Sequence, residues 1–208
     1  MTQTDNFNLP FLGDWFTPYA TQDSSLLGQL NFLPGLKELL MLRQVHALEH
    51  ATVWVLSETN SPEQNNLRAD NETLGGFSTD SGFYLYGQIQ PRDLQRAVRI
   101  ALERLQGGQW HLAIHPRCGT NASVTMMVTA GFVLGAHFLL PRGPLEQLIG
   151  LGVAFGTAVQ VAPDLGGYAQ KYLTTAIPFN LELVNVVRTT DFWGRSAHFV
   201  SVRWQDLQ

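Results

Sequence analysis

Residues 122–140 (ASVTMMVTAGFVLGAHFLL) contain no Asp, Glu, Lys or Arg. After a Pro141-Arg142-Gly143-Pro144 turn, residues 148–163 form a second uncharged run. A helix needs ~20 apolar residues to cross a bilayer's hydrocarbon core. Two such runs in tandem, joined by a tight turn, predict a transmembrane hairpin inserted at 122–163. Whatever else the chain folds into must then be assembled from segments on either side of that hairpin. Only 14% of residues are charged, against about 25% in an ordinary soluble domain, which fits surface hidden from water. Each run holds a G-x-x-x-G, Gly131/Gly135 and Gly152/Gly156. Small residues at that spacing let helices approach closely within a membrane and offer a route to an oligomer. Arg117 and Lys171 flank the outer ends while Arg142 sits in the turn, placing both termini in the cytoplasm by the positive-inside rule.

The chemistry is concentrated ahead of the hairpin, in residues 41–56 (MLRQVHALEHATVWVL). Residues four apart on a helix share a face, so His46 and His50 point the same way with Glu49 beside them. Two imidazoles so placed can hold one Zn2+, and the carboxylate is placed to act as general base on a water. The order H-x-x-E-H is the inverse of the H-E-x-x-H motif of zinc proteases. Leu36, Leu39, Leu40, Val45 and Leu48 lead into an almost wholly apolar turn at 51–56, so this helix is expected to be buried on most sides. Pro34 fits its first turn.

Residues 1–33 read as an irregular N-terminal arm with a short helix near Leu26–Leu30, and 57–72 as a polar loop. The sequence MTQTDNFNLPFLGDW shows no signal-peptide pattern. Gly75-Gly76 and Ser81-Gly82 bracket a turn before a strand at 83–87. Pro91 opens a helix with Leu94, Ala97, Val98, Ala101, Leu102 and Leu105 as its buried stripe; Arg92, Arg96, Arg99 and Arg104 make a solvated face, and Gly107-Gly108 ends it. Residues 110–114 read as a strand. Residues 181–189 and 197–204, rich in β-branched side chains, form a hairpin around DFWGRS. The expected fold is α+β: a small mixed sheet packed on a metal-site helix and interrupted by the two-helix transmembrane hairpin. Residues 34–208 would make one αβ metal-site domain. A net charge of −4 gives no electrostatic footprint for nucleic acid. One cysteine excludes an internal disulfide.

A second cluster, His115-Pro116-Arg117-Cys118-Gly119-Thr120-Asn121, stands directly before the first uncharged run. His115 and Cys118, separated by a Pro-Arg turn, can both reach a common ion. Thr120 or Asn121 suits the N-cap of the following helix. A thiol at a helix N-terminus beside Arg117 gains thiolate character, useful for ligation or for nucleophilic attack with His115 as base; ligation is the favoured role. His137 is read as an interfacial or packing residue, and His111 and His198 as surface or edge-strand residues. The favoured reading is a membrane-embedded zinc hydrolase, such as a peptidase acting on an unknown protein or peptide substrate, with an open site: His46 and His50 with His115 as third ligand, Cys118 nearby, Glu49 as base and Arg117 steadying an oxyanion. If His115 and Cys118 both bind, the site is closed. Zinc then staples helix to strand in a non-catalytic assembly or scaffold protein. A soluble helical binding domain without metal is a third option.

The order of these motifs, H-x-x-E-H (His46, Glu49, His50), then H-P-R-C-G-T before a membrane span, then Leu173-Thr174-Thr175 after the last one, resembles the YqhQ-type bacterial membrane proteins. These are described as metal-dependent enzymes of unknown substrate. GFYLYG and HPRCGTN also resemble an uncharacterised cyanobacterial branch with the same plan. The resemblance implies an integral protein of a bacterial inner or thylakoid membrane, in contact with lipid, and bears on site and topology more than on reaction. Ala51 stands where that family often has Lys, and Ala176-Ile177-Pro178 where it usually has acidic residues, so substrate contacts at those positions do not carry over.

Overall fold

The computed structural model describes residues 18–60, 73–141 and 143–206. Among the described residues five helices run in chain order: α1 (Gln22–Gln29), α2 (Leu36–Asn60), α3 (Pro91–Gln106), α4 (Gly119–Leu139) and α5 (Pro144–Ala169). Four strands, β1 (Gly75–Thr79), β2 (Gly82–Tyr86), β3 (Leu181–Thr190) and β4 (Ser196–Trp204), form one antiparallel sheet in the order β1-β2-β4-β3. The α+β architecture is as expected, but the sheet is antiparallel throughout, and Trp110–Ala113 is a 3-10 turn outside it. The fourth strand is instead β1, whose Gly-Gly start reads as turn from local sequence. It pairs with β2 from Gly75↔Tyr86 to Thr79↔Gly82. Cross-strand pairing overrides weak local propensity there.

Helix α2 is the axis of the domain. Val45, Ala47, Leu48, Ala51, Val53, Trp54, Val55 and Leu56 are all buried, joined by Phe83 and Leu85 of β2, Val200 and Val202 of β4, and Leu94, Val98 and Leu105 of α3. Fully burying each large apolar side chain contributes about 1.5–3 kcal/mol, so this helix cannot leave the core without unfolding it. It starts two residues after Pro34, once Gly35 has turned the chain at φ 81°. It also runs further than the sequence indicates, to Asn60, with the Ser57 and Thr59 hydroxyls donating back to the carbonyls of Val53 and Val55 instead of competing for the helix's N–H groups. The remainder of the expected polar loop, most of the N-terminal arm and Arg142 lie outside the described residues. The arginines of α3 face outward as expected, Arg104 pairing with Glu58 at 2.6 Å.

Helices α4 and α5 are each long and apolar enough to span a membrane. They pack on one another along a stripe of small residues on α5: Ala154, Ala158, Ala162 and Gly166. A Cβ at Gly166 would run into the Asn121 side chain, so glycine lets the two helix ends meet there. The four G-x-x-x-G glycines make no close contact, since a Cβ at any of them would meet nothing within 4 Å; Gly131 and Gly135 instead line an open groove between α4 and α5. Helix α4 begins three residues before the uncharged run, and α5 continues through Pro163 to Ala169 before a π turn at Gln170–Thr174. Pro163 removes one N–H without ending the helix. No residue of α4 is buried, and Met127 and Leu139 are 74% and 85% exposed.

The β3–β4 turn is held by Asp191. Its carboxylate accepts from the backbone N–H groups of Trp193 (2.9 Å) and Arg195 (2.8 Å), from Arg195 Nε (2.7 Å) and from Tyr86 Oη (2.8 Å). Burial alone would raise its pKa, but these donors outweigh it and hold the carboxyl at about 2, below the usual 3.8. A depressed carboxylate pKa gives stability that is present above the ordinary value and lost as pH falls through the folded one. Asp191→Asn should therefore melt below wild type at pH 7, and the gap in Tm should close as pH falls from 3.8 to about 2. A gap that persists below that range would show that the carboxylate's charge is not what holds the turn.

Candidate metal centre

His46 and His50 stand one turn apart on α2, their ring centroids 4.3 Å apart. Each ring is oriented by a backbone carbonyl from another element. His46 Nδ1 lies 3.0 Å from the Thr174 carbonyl, and His50 Nδ1 lies 2.6 Å from that of Ala113. A carbonyl can only accept, so each Nδ1 carries a proton and Nε2 is the ring atom left to ligate. Cys118, the N-cap of α4, accepts from Thr120 N–H at 3.3 Å and lies 3.2 Å from His46 Nε2. The donor atoms of His46, His50 and Cys118 fall within 4.8 Å of one another, a group that could hold a metal ion. Burial pushes the Cys118 thiol up, but the hydrogen bond and charge of His50 and the donors at Thr120 bring it below its ordinary value.

These donors fit a soft or borderline divalent ion. Imidazole nitrogens with a thiolate are zinc-type ligands, and a metal-binding histidine commonly gives its other N–H to a carbonyl. The Thr174 contact gives the Leu173-Thr174-Thr175 motif a physical role, because its backbone fixes the tautomer of His46. Arg43 ties the same segment to α2 by donating to the carbonyls of Tyr172 (3.2 Å) and Thr175 (3.0 Å).

Glu49 is buried beside the histidines and accepts from Ser78 Oγ at 2.5 Å. Burial raises its pKa more than the Ser78 hydrogen bond and the charge of His46 lower it. Strand β1 crosses directly over this carboxylate, where a Cβ at Gly76 would collide with it. Ser78 does not stand out in the sequence, whereas Gly76 belongs to the Gly-Gly doublet, a local sign of close backbone approach as well as of a turn.

The structure brings Cys118, rather than His115, into the donor group. His115 is buried against Trp54, with ring centroids 4.8 Å apart, and its ring lies 5.8 Å from that of His50. Its backbone N–H donates to Gln170 Oε1 at 2.9 Å, and Gln170 Nε2 donates to Asn121 Oδ1 at 2.6 Å. Gln170, fully buried in the π turn, thus clamps both ends of the HPRCGTN loop and sets where Cys118 points. Arg117 is exposed on the rim of the cleft. His137 lies at the far end of α4, 3.2 Å from Gln147 Oε1, and His111 is at the surface. His198 departs from expectation: it is buried on the inner strand β4, with Arg188 Nε donating to it at 3.5 Å.

A family model described as Domain of unknown function (DUF6391) matches residues 41–186. The chain belongs to the DUF6391 family. Its match to that model opens five residues before His46 and closes beyond Thr175, so it takes in every residue of the centre. The chain is also 55% identical over 196 residues to an uncharacterised protein of Picosynechococcus sp. (strain ATCC 27264 / PCC 7002 / PR-6), covering 94% of this chain and 96% of that relative. The cyanobacterial kinship expected from GFYLYG and HPRCGTN is thereby met. No solved structure matches.

Proposed function

We propose that this DUF6391 protein is a membrane-embedded, zinc-dependent hydrolase. The observation that carries the reading is the convergence of two carbonyl-oriented histidines and one thiol on a single point. Among the described residues the group has three donors, the number typical of zinc sites that keep a position for reactants; structural sites are normally closed by four. This favours catalysis over a metal-stapled scaffold. Zinc held there supplies a Lewis acid that polarises a carbonyl and makes water acidic near neutral pH. Glu49, next to the histidines and steadied by Ser78, takes the proton of the attacking water. Arg117 on the rim offers positive charge to a developing oxyanion. The motif order shared with YqhQ-type proteins supports the same centre, and with it an inner or thylakoid membrane.

The membrane half of the reading rests on exposure. A core helix of a soluble protein passes a hydropathy test because it is buried, whereas α4 is unburied along its whole span. Burial of its Met, Phe and Leu side chains by lipid tails removes that unfavourable surface.

The test is metal content in protein purified without an affinity tag from carbonate-washed membranes. About one zinc per chain is expected, as for a single three-ligand site. Glu49→Gln should keep that zinc, because a base is not a ligand, while turnover of any substrate cleaved by wild type falls about 10²–10⁴-fold. Zinc lost together with Glu49 would make the carboxylate a ligand or support and count against the hydrolase.

A further inference from the structure

The centre lies at the floor of a cleft of about 550 Å³, a size suited to a small-molecule ligand. One wall of that cleft is Cys118, Gly119 and Thr120, the entry to α4; Leu173 and Thr174, just past α5, also line it. The cleft is therefore level with the end of the apolar hairpin rather than remote from it. Tyr168 and Tyr172 stack beside the same end, with centroids 6.2 Å apart and planes 12° from parallel. Tyrosine is enriched at the membrane–water boundary, where its ring and hydroxyl suit the headgroup level. The cleft is amphiphilic. Its floor carries the metal donors and Glu49, whereas its rim carries Arg117 together with Leu39, Phe77 and Leu173, these three being 53%, 46% and 70% exposed. Water gains nothing from such a rim, but an acyl chain lying between bilayer and cleft would cover it.

We propose that the substrate is a membrane amphiphile, an acyl ester or amide whose chain lies along Leu39, Phe77 and Leu173 with its carbonyl at the His46–His50–Cys118 centre. This inference rests on the hydrolase reading and adds the substrate class. In the reaction the acyl C–O or C–N bond breaks and a C–O bond from water forms. Glu49 passes the proton it takes from water to the departing alcohol or amine. Arg117 favours an anionic or strongly polar group next to the scissile bond.

The full-length protein, reconstituted in phosphatidylcholine nanodiscs and loaded with Co2+, provides a readout that needs no turnover. Hydroxamic acids carry a metal-binding head on a chain of chosen length, and their binding is followed by the cobalt absorption bands. Octanohydroxamate should bind at least about tenfold more tightly than acetohydroxamate, since apolar burial adds with each methylene. Leu39→Ser combined with Leu173→Ser should erase that gain, bringing octanohydroxamate to within about twofold of acetohydroxamate in the same variant. Both side chains are exposed, so folding is spared. Equal affinities in wild type, with normal cobalt–thiolate absorption, would overturn the acyl-chain inference while leaving the metal centre in place. A gain retained in the double variant would trace to partition into the bilayer and would overturn it equally. Tighter binding of a peptidyl hydroxamate than of octanohydroxamate would replace the amphiphile with a peptide substrate. Absence of a cobalt–thiolate band would overturn the metal centre itself.

Discussion

Alanine at His46, His50 or Cys118 is expected to strip zinc from the protein, lowering affinity by more than about a hundredfold, the upper range for losing even a supporting partner of a ligand. Each residue supplies one of three converging donor atoms, so no variant leaves a competent set. His115→Ala and His137→Ala should retain zinc, because neither ring belongs to that group. X-ray absorption on the zinc-loaded protein checks the ligand set directly. One sulfur at ~2.3 Å with nitrogens at ~2.0 Å is expected, and Cys118→Ala should abolish the sulfur scattering. A zinc shell without sulfur, together with zinc loss in His115→Ala, would return the third position to His115. Sulfur with three imidazoles and no exchangeable water would mean a closed site and favour the scaffold.

The contrast between His115 and Cys118 shows where the sequence is legible and where it stops being so. His46, Glu49 and His50 follow from helical spacing alone, since i and i+4 must share a face once the segment is helical. Nothing comparable links them to the second cluster, seventy residues away. A strand at 110–114 would put His115 at its end, directly beside the turn to Cys118. In the fold that segment is a 3-10 turn, and the His115 ring is buried against Trp54. Cys118 reaches the histidines because it caps α4 while Gln170, from beyond α5, pins the loop on both sides. That clamp is a tertiary contact between residues 55 apart, and a lone glutamine gives no local sign of it. Strand β1 was hidden for a related reason: its glycines have little strand propensity, yet the strand needs glycine at 76 to pass over Glu49. The hairpin is the opposite case. Its composition exposes it at once, and only its ends and its small-residue seam required the fold.

Arginine in place of Met127 or Val153 separates a lipid-facing hairpin from a water-facing one more sharply than any deletion. Both side chains are largely exposed, at 74% and 65%, and lie near the middle of α4 and α5. On a water-exposed surface such a change is usually within about 0.5 kcal/mol and removes an apolar patch. In the hydrocarbon core an arginine costs about 2.5–3.5 kcal/mol by insertion scales. Met127→Arg combined with Val153→Arg is therefore expected to abolish stable insertion. Wild type should remain in the pellet after carbonate extraction, while the double variant is released, aggregated or degraded. Ala158→Arg serves as the comparison, because Ala158 is fully buried in the α4–α5 seam. An arginine there has no room whatever surrounds the hairpin, so this variant should fail in either environment. The decisive result is the pairing of the two. Failure of both places the outer face of the hairpin in lipid, whereas a double-arginine variant that folds and grows more soluble, beside a failing Ala158→Arg, would place it in water and remove the membrane from the proposed function.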